Sequence, residues 1–402
     1  MQGFDPAAAT AQWLATLSPE DTARAVSYTQ GGHWLILWSF LVSIAVAWIL
    51  IRTRLLIRIR EAIERNKARP ILASFVVGIV YLAASWILTL PWSIYESWYR
   101  EGQYGLTEQP FVGWLSEGLM SAAISTVFTA LLLVGIYALI RRARALWWAW
   151  AAGLTAVFIV IGLIISPILI EPLFNTYTPA PNGQVRDAVV ALAEKTGTPS
   201  DKIYIYDGSR QSDRYTANVS GLFGSARVAM SDVMFTKGAD LAEVRGVVGH
   251  EMGHYVRGHV LWIVGVMIVM TALAFFLTDR LYPVAHRLLG AKGVGDIRDP
   301  AGLPVLGAVL AVLGLLATPI GATMTRTMEA DADHFSLVYA NEPDGLSKAL
   351  IKTAEYRAPS PSAIEEFFFY DHPSVGNRIR RAMEWKATHP ATQDPAVSPP
   401  AS

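Results

Sequence analysis

His250, Glu251 and His254 stand in the run HEMGH, inside VVGHEMGHYVRGH. On an α-helix residues four apart share a face, so the two imidazoles can converge on one ion while Glu251 sits a step round beside it. A catalytic zinc takes three protein ligands and keeps a fourth position for water, whose pKa falls to roughly 7. A neighbouring carboxylate can then accept the proton, and Glu251 is the candidate base. The spacing is a known metalloprotease signature. The competing reading, two polar histidines on an exposed helical turn, fails if the chain supplies a third ligand from elsewhere.

That ligand must be an Asp, Glu or His on a second element. The segment TRTMEADADHFSLVYA offers Glu329, with Asp333 four residues on and therefore on the same helix face. A carboxylate so placed can take the free ring N–H of a metal-bound histidine and fix its tautomer. Asp331 and His334 fall on other faces. A solvated helix start would also cluster carboxylates. Glu243, Glu365 and Glu366 are rivals for the ligand role, but none has an equivalent partner spacing.

The elements that hold these residues belong to a membrane protein. The chain has 402 residues, of which 52% are hydrophobic and only 16% charged, with a net charge of zero. Stretches long enough to cross a hydrocarbon core of about 30 Å lie near 34–51, 71–95, 118–140, 146–170, 260–278 and 302–322. Four spans precede HEMGH and two follow it. Trp34, Trp92, Trp147 and Trp148 read as interfacial anchors. With no cysteine, the chain has no disulfide, no thiolate catalysis, no cysteine-bound metal and no lipid on sulfur. Residues 1–30 carry Asp5, Glu20 and Asp21 without a basic leader, so the first span is expected to act as the insertion signal. Neutral charge argues against nucleic acid as a partner. The basic stretch from Arg52 to Arg69 suits a juxtamembrane loop touching anionic lipid.

The expected organisation is an extramembrane segment at 1–33, a four-span region at 34–170, and a zinc-binding protease domain at 171–258. Two more spans follow within 259–322, then the C-terminal part of the protease domain at 323–386 and a disordered tail at 387–402. The fold class is mainly α: a polytopic helical membrane protein with an inserted zincin-like α+β metalloprotease domain. Within the insert, QVRDAVVALAEKT at 184–196 has helical periodicity, KIYIYDG reads as a strand, and RYTANVSG with ARVAMSD as a β-prone pair. Such a pair either presents an extended edge to a peptide or simply covers the helix. Farther on, GLSKALIKTAEYRA and NRIRRAMEWKA read as amphipathic helices. Between them FFFYDHPSVGNRIRRA offers His372 and Arg378, either as hydrogen-bond donors to an oxyanion or as a helix cap and a structural ion pair.

Several motifs recur here in the order seen in the type I CAAX prenyl endopeptidase family, which the chain resembles from about residue 34 to 386. They are LPWSIYESWYREGQYGLTEQ, EPLFNTYTPAPNG, KIYIYDGSRQSDRYTANVSG, VVGHEMGHYVRGH, EADADHFS and HPSVGNRI. The resemblance implies one zinc ion on His250, His254 and Glu329, Glu251 as base, Asp333 behind a ligand, and His372 and Arg378 in the active site. It implies peptide or protein substrates, lipidated ones among them, and a zinc domain facing the cytosol. Eukaryotic members have seven spans around a chamber, against six here. Thr216 stands in TANVSG where an Asn is usual. The basic loops at 52–70 and 141–144 and the acidic 96–117 favour the opposite orientation. Three functions follow: trimming of prenylated CAAX termini, broader quality-control proteolysis in the membrane, or a nonproteolytic scaffold with structural zinc. Glu251 speaks against the last, because a structural site needs no base.

Overall fold

The computed structural model describes residues 4–221 and 226–389. Six of its helices are long and apolar enough to cross a membrane: Pro19–Thr53, Pro70–Gln103, Phe111–Arg142, Arg144–Phe174, His259–Leu288 and Pro300–Tyr339. All run beyond their apolar stretches. The first starts at Pro19, where Ser18 accepts from the Asp21 amide and Glu20 and Asp21 sit in the positive first turn. The residues just ahead of the apolar stretch at 34 thus continue the first span as helix.

Side chains such as Leu41, Ile87, Leu131, Ile161, Leu273 and Leu316 remain exposed on these helices, as a lipid-facing surface requires. Between the helices, Val77, Tyr137, Trp147, Tyr282 and Leu303 form a buried core. Trp147 is 3% exposed and donates its indole N–H to Asp279 of the fifth span at 2.8 Å. Trp92 likewise donates to Ser39 of the first span at 2.9 Å. These two indoles join spans, a contact beyond the anchoring role read from the sequence; Trp34 is 64% exposed.

The extramembrane part is a small mixed sheet covered by helices. Strands β1 (Tyr177–Pro179), β2 (Ile203–Tyr206), β3 (Ala217–Ser220) and β4 (Arg227–Ser231) are ordered β1-β2-β4-β3. β2 and β4 are parallel, and β3 pairs antiparallel with β4, Asn218 opposite Ala229. This leaves β3 at one edge of the sheet. The helix Gln184–Thr196 ends at Gly197, whose φ of +73° suits a left-handed cap. Met230, Met234, Val248, Met252 and Phe335 fill the core between the sheet and the neighbouring helices. A third core, with Leu346, Ile379 and Met383 at its centre, takes in Trp13 and Leu14 from the N-terminal helix Pro6–Leu14. The amphipathic segments near the C-terminus form the helices Pro343–Thr353 and Val375–Thr388. A short helix at Ala363–Phe369 lies between them. Of the tail expected to be disordered, residues from 390 on lie outside the described residues.

Candidate active site

HEMGH lies in the last two turns of the helix Leu241–Val256. Its start is a full capping box, in which the Asp240 side chain accepts from the Glu243 amide and the Glu243 side chain from the Asp240 amide. Its end is Gly258, at φ +67°, where the chain turns into the fifth span. A helix carrying ligands must approach its partner closely. A Cβ on Gly253 would lie 3.1 Å from both Ala332 Cα and Phe335 Cβ, and one on Gly249 3.0 Å from Ser336 Oγ. The absent side chains let the helix lie against the distal half of Leu303–Tyr339. Ser336 then donates to the Gly246 carbonyl at 2.7 Å and ties the pair together.

This crossing brings His250, His254 and Glu329 together, their candidate ligand atoms all within 4.8 Å of one another. His250 Nε2 is 3.1 Å from His254 Nε2 and 3.1 Å from Glu329 Oε2, and His254 Nε2 is 3.3 Å from Glu329 Oε1. Whether a cation fits follows from the lone pairs. His250 Nδ1 lies 2.9 Å from Asp333 Oδ1, so its proton belongs on that nitrogen and Nε2 is left as an acceptor. Glu329 Oε2 is buried and finds no hydrogen-bond donor. Acceptors facing one another in a buried pocket are satisfied by a cation, and two imidazoles with one carboxylate make a zinc-type donor set.

Behind His250, Arg378 grips Asp333 through Nε to Oδ2 and a terminal nitrogen to Oδ1, both at 2.7 Å. Arg378 and Asp333 are 7% and 2% exposed. Burial works against the Arg378 charge, but Asp333, with Glu329 and Glu251 nearby, more than offsets it and holds the guanidinium above its ordinary pKa. Two of Arg378's N–H groups are therefore committed to an ion pair, as in the structural alternative considered for it. His372 does not cap the following helix; that role falls to Ser374, whose side chain accepts from the Asn377 amide. Instead His372 turns Nε2 toward Glu329 Oε2 at 3.1 Å and Nδ1 toward Asp371 at 2.7 Å. Burial lowers its pKa. Burial likewise raises the Glu251 carboxyl above its usual range, opposed by the two histidines. A raised carboxyl holds a proton more readily once it has taken one.

Two residues of this environment have no foreshadowing in HExxH spacing. His259 Nδ1 lies 2.9 Å from His254 Nδ1, and His259 Nε2 lies 3.2 Å from Asp331 Oδ2. If Asp331 takes the His259 Nε2 proton, His259 Nδ1 accepts from His254 Nδ1, and His254 Nε2 is presented bare to the metal. Asp331, facing away from the ligand cluster on its own helix, thus reaches the site through another histidine. Asp331→Asn is expected to weaken metal affinity by roughly 10–100-fold, measured by competition with a chelator. Of the rivals to Glu329, Glu243 is fully buried against Lys348 and Lys352, Glu365 pairs with His33, and Glu366 accepts from Asn377.

The cluster opens on a cavity of ≈ 1290 Å³. Thr216 and Ala217 of the β3 edge line it beside Glu251, and Ser39, Glu96 and Thr318 line it from the membrane helices. The spans and the His250–His254–Glu329 cluster thus share one open cavity, with six long apolar helices among the described residues. Glu96 sits in a π-helical turn, Tyr95–Tyr99, a local widening often found at functional sites.

Residues 179–386 match peptidase family M48, and residues 7–176 match the CAAX prenyl protease N-terminal region described as five membrane helices. Among the described residues that region holds four membrane-length helices, with the shorter helices Pro6–Leu14 and Leu55–Glu64 besides. The chain is 28% identical over 389 residues to uncharacterized metalloprotease YhfN of Bacillus subtilis, covering 94% of this chain and 89% of the relative. It is 23% identical over 317 residues to CAAX prenyl protease 1 of Saccharomyces cerevisiae, covering 73% and 68%. The crystal structure of S. mikatae Ste24p superposes with a TM-score of 0.75 at 21% identity, covering 92% of this chain and 89% of that one. The chain therefore belongs to peptidase family M48, as a multi-pass membrane metalloprotease of the CAAX prenyl protease family.

Proposed function

We propose that the chain is a zinc endopeptidase hydrolysing peptide bonds near the C-terminus of CAAX-type substrates, prenylated ones included. The observation that carries this reading is the cavity, in which Glu251 and the β3 edge share one space with Ser39, Glu96 and Thr318 of the membrane helices. A substrate whose lipid partitions into the bilayer can reach such a space from the side. His250, His254 and Glu329 would hold the metal. When bound, zinc supplies a Lewis acid that polarises the scissile carbonyl and acidifies water.

The chain's own groups do the rest. Glu251 takes a proton on its carboxylate and delivers it to the leaving amine. His372 stands within contact of Glu329, and its ring, once protonated on both nitrogens with Nδ1–H held by Asp371, donates through Nε2 to the oxyanion, while Arg378 holds Asp333, and through it His250, in place. The free edge of β3 offers backbone groups from Thr216 onward to an extended peptide. The family resemblance supports a cytosolic zinc domain; strong periplasmic activity of an alkaline phosphatase fused to the C-terminus would overturn that placement.

Three peptides test the substrate: a farnesylated CAAX peptide, the same peptide without lipid, and an unrelated extended peptide. The farnesylated one is expected to be cleaved with a kcat/KM at least about tenfold above the others, as burial of its many methylene groups allows. Equal turnover of all three would favour quality-control proteolysis instead.

A further inference from the structure

The cavity is rich in guanidinium groups, and most are answered by the protein. Arg214 pairs with Glu101 at 2.8 Å, Arg378 with Asp333, and Arg100 donates to the Tyr28 carbonyl. Arg357 also lines the cavity, and among the described residues no carboxylate comes to ion-pair distance of it. Its contacts are His372 Nε2, 3.4 Å from a terminal nitrogen, and the Tyr356 ring, 5.5 Å from the guanidinium carbon. Asp371 and Glu329 act on its charge only from beyond that distance; a cation removed from bulk water with no carboxylate in contact is costly, and a bound anion relieves the cost.

The position of Arg357 narrows what that anion is. His372 links it to Glu329 in two contacts, 3.4 Å and then 3.1 Å. An extended peptide advances about 3.3–3.6 Å per residue, so an anion on Arg357 lies within about two or three residues of the bond at the metal. A planar guanidinium fork matches a carboxylate in two parallel hydrogen bonds. Every peptide cut close to its end carries one such group at that distance.

We propose that Arg357 binds the α-carboxylate at the substrate's C-terminus and so sets how many residues are released. This rests on the endopeptidase reading above and adds the feature of the substrate that is measured from. It makes Arg357 a specificity-determining residue, separate from the groups that move protons.

The test uses the full chain, zinc-loaded and in detergent micelles, in a Glu251→Gln background that holds peptide without cutting it. Fluorescein-labelled C-terminal peptides are compared by anisotropy as the free acid, as the C-terminal amide, and as an amide with Glu as last residue. The free acid is expected to bind about tenfold or more tighter than the plain amide. Arg357→Met should bring that ratio to about one, and Arg357→Lys, which keeps the charge and is the gentler change, should retain part of it. Equal binding of acid and amide by the parent, or an undiminished ratio in Arg357→Met, overturns the proposal. Equal binding of the acid and the Glu-terminated amide would overturn its assignment to the chain terminus. Cleavage is scored separately with Glu251 intact. Absence of cleavage with acid–amide discrimination preserved would count against the endopeptidase reading and leave only carboxylate binding by Arg357 standing.

Discussion

Exchanging Glu251 for glutamine is expected to lower peptide hydrolysis by roughly 10³–10⁴-fold while leaving metal content unchanged. The glutamine side chain fills the same space beside His250 and His254, so the helix and its crossing are kept. What disappears is a group able to accept a proton and return it. A loss of that size corresponds to about 4–5.5 kcal/mol of barrier. His250→Ala should differ in kind, losing both metal and activity. Elemental analysis of the purified protein beside a peptide cleavage assay separates the two variants, and undiminished turnover in Glu251→Gln would remove it from the mechanism.

The second large effect concerns the ion pair behind His250. Arg378→Met leaves the Asp333 carboxylate buried, 2% exposed, without its cation. Removing one member of a buried ion pair costs about 3–5 kcal/mol, so thermal unfolding in detergent should move sharply downward. The double variant Asp333→Leu with Arg378→Met replaces both charges by apolar groups and should regain most of that stability. It should not regain activity, because His250 Nδ1 has lost the carboxylate that fixes its tautomer. If the double variant is as unstable as Arg378→Met alone, the pair is not acting as a unit.

The centre of this site was legible in the sequence because it rests on helical spacing. His250 with His254 and Glu329 with Asp333 are each four apart, so each pair is placed by periodicity alone, and Glu251, the proposed base, sits between the two histidines. The six spans and the helix at 184–196 were legible for the same reason. What escaped depends on contacts between elements. His259 meets His254 only because Gly258 turns the chain in a left-handed conformation, and Asp331 is recruited only through that histidine. The bond of Trp147 to Asp279 joins it to a span far along the chain, which spacing could not show. β1 is a three-residue strand in a proline-rich stretch, too short to alternate visibly. The share of the cavity wall taken by Tyr28 and His33 was hidden because that segment reads as polar, and polar residues on a first span suit a chamber better than lipid.

The left-handed turn at Gly258 also bears on the order in which the molecule is made. The proposed ligands on either side of the glycine-lined crossing stand beside the fifth span and at the far end of the sixth helix. A chain that ends after five spans carries His250, His254 and the proposed base Glu251 but no Glu329. The three-ligand centre comes into being only when the sixth helix has entered the bilayer and settled against the two glycines. On the proposed ligand set, a chain that lacks the sixth helix lacks Glu329, so the metal site is complete only with that helix in place.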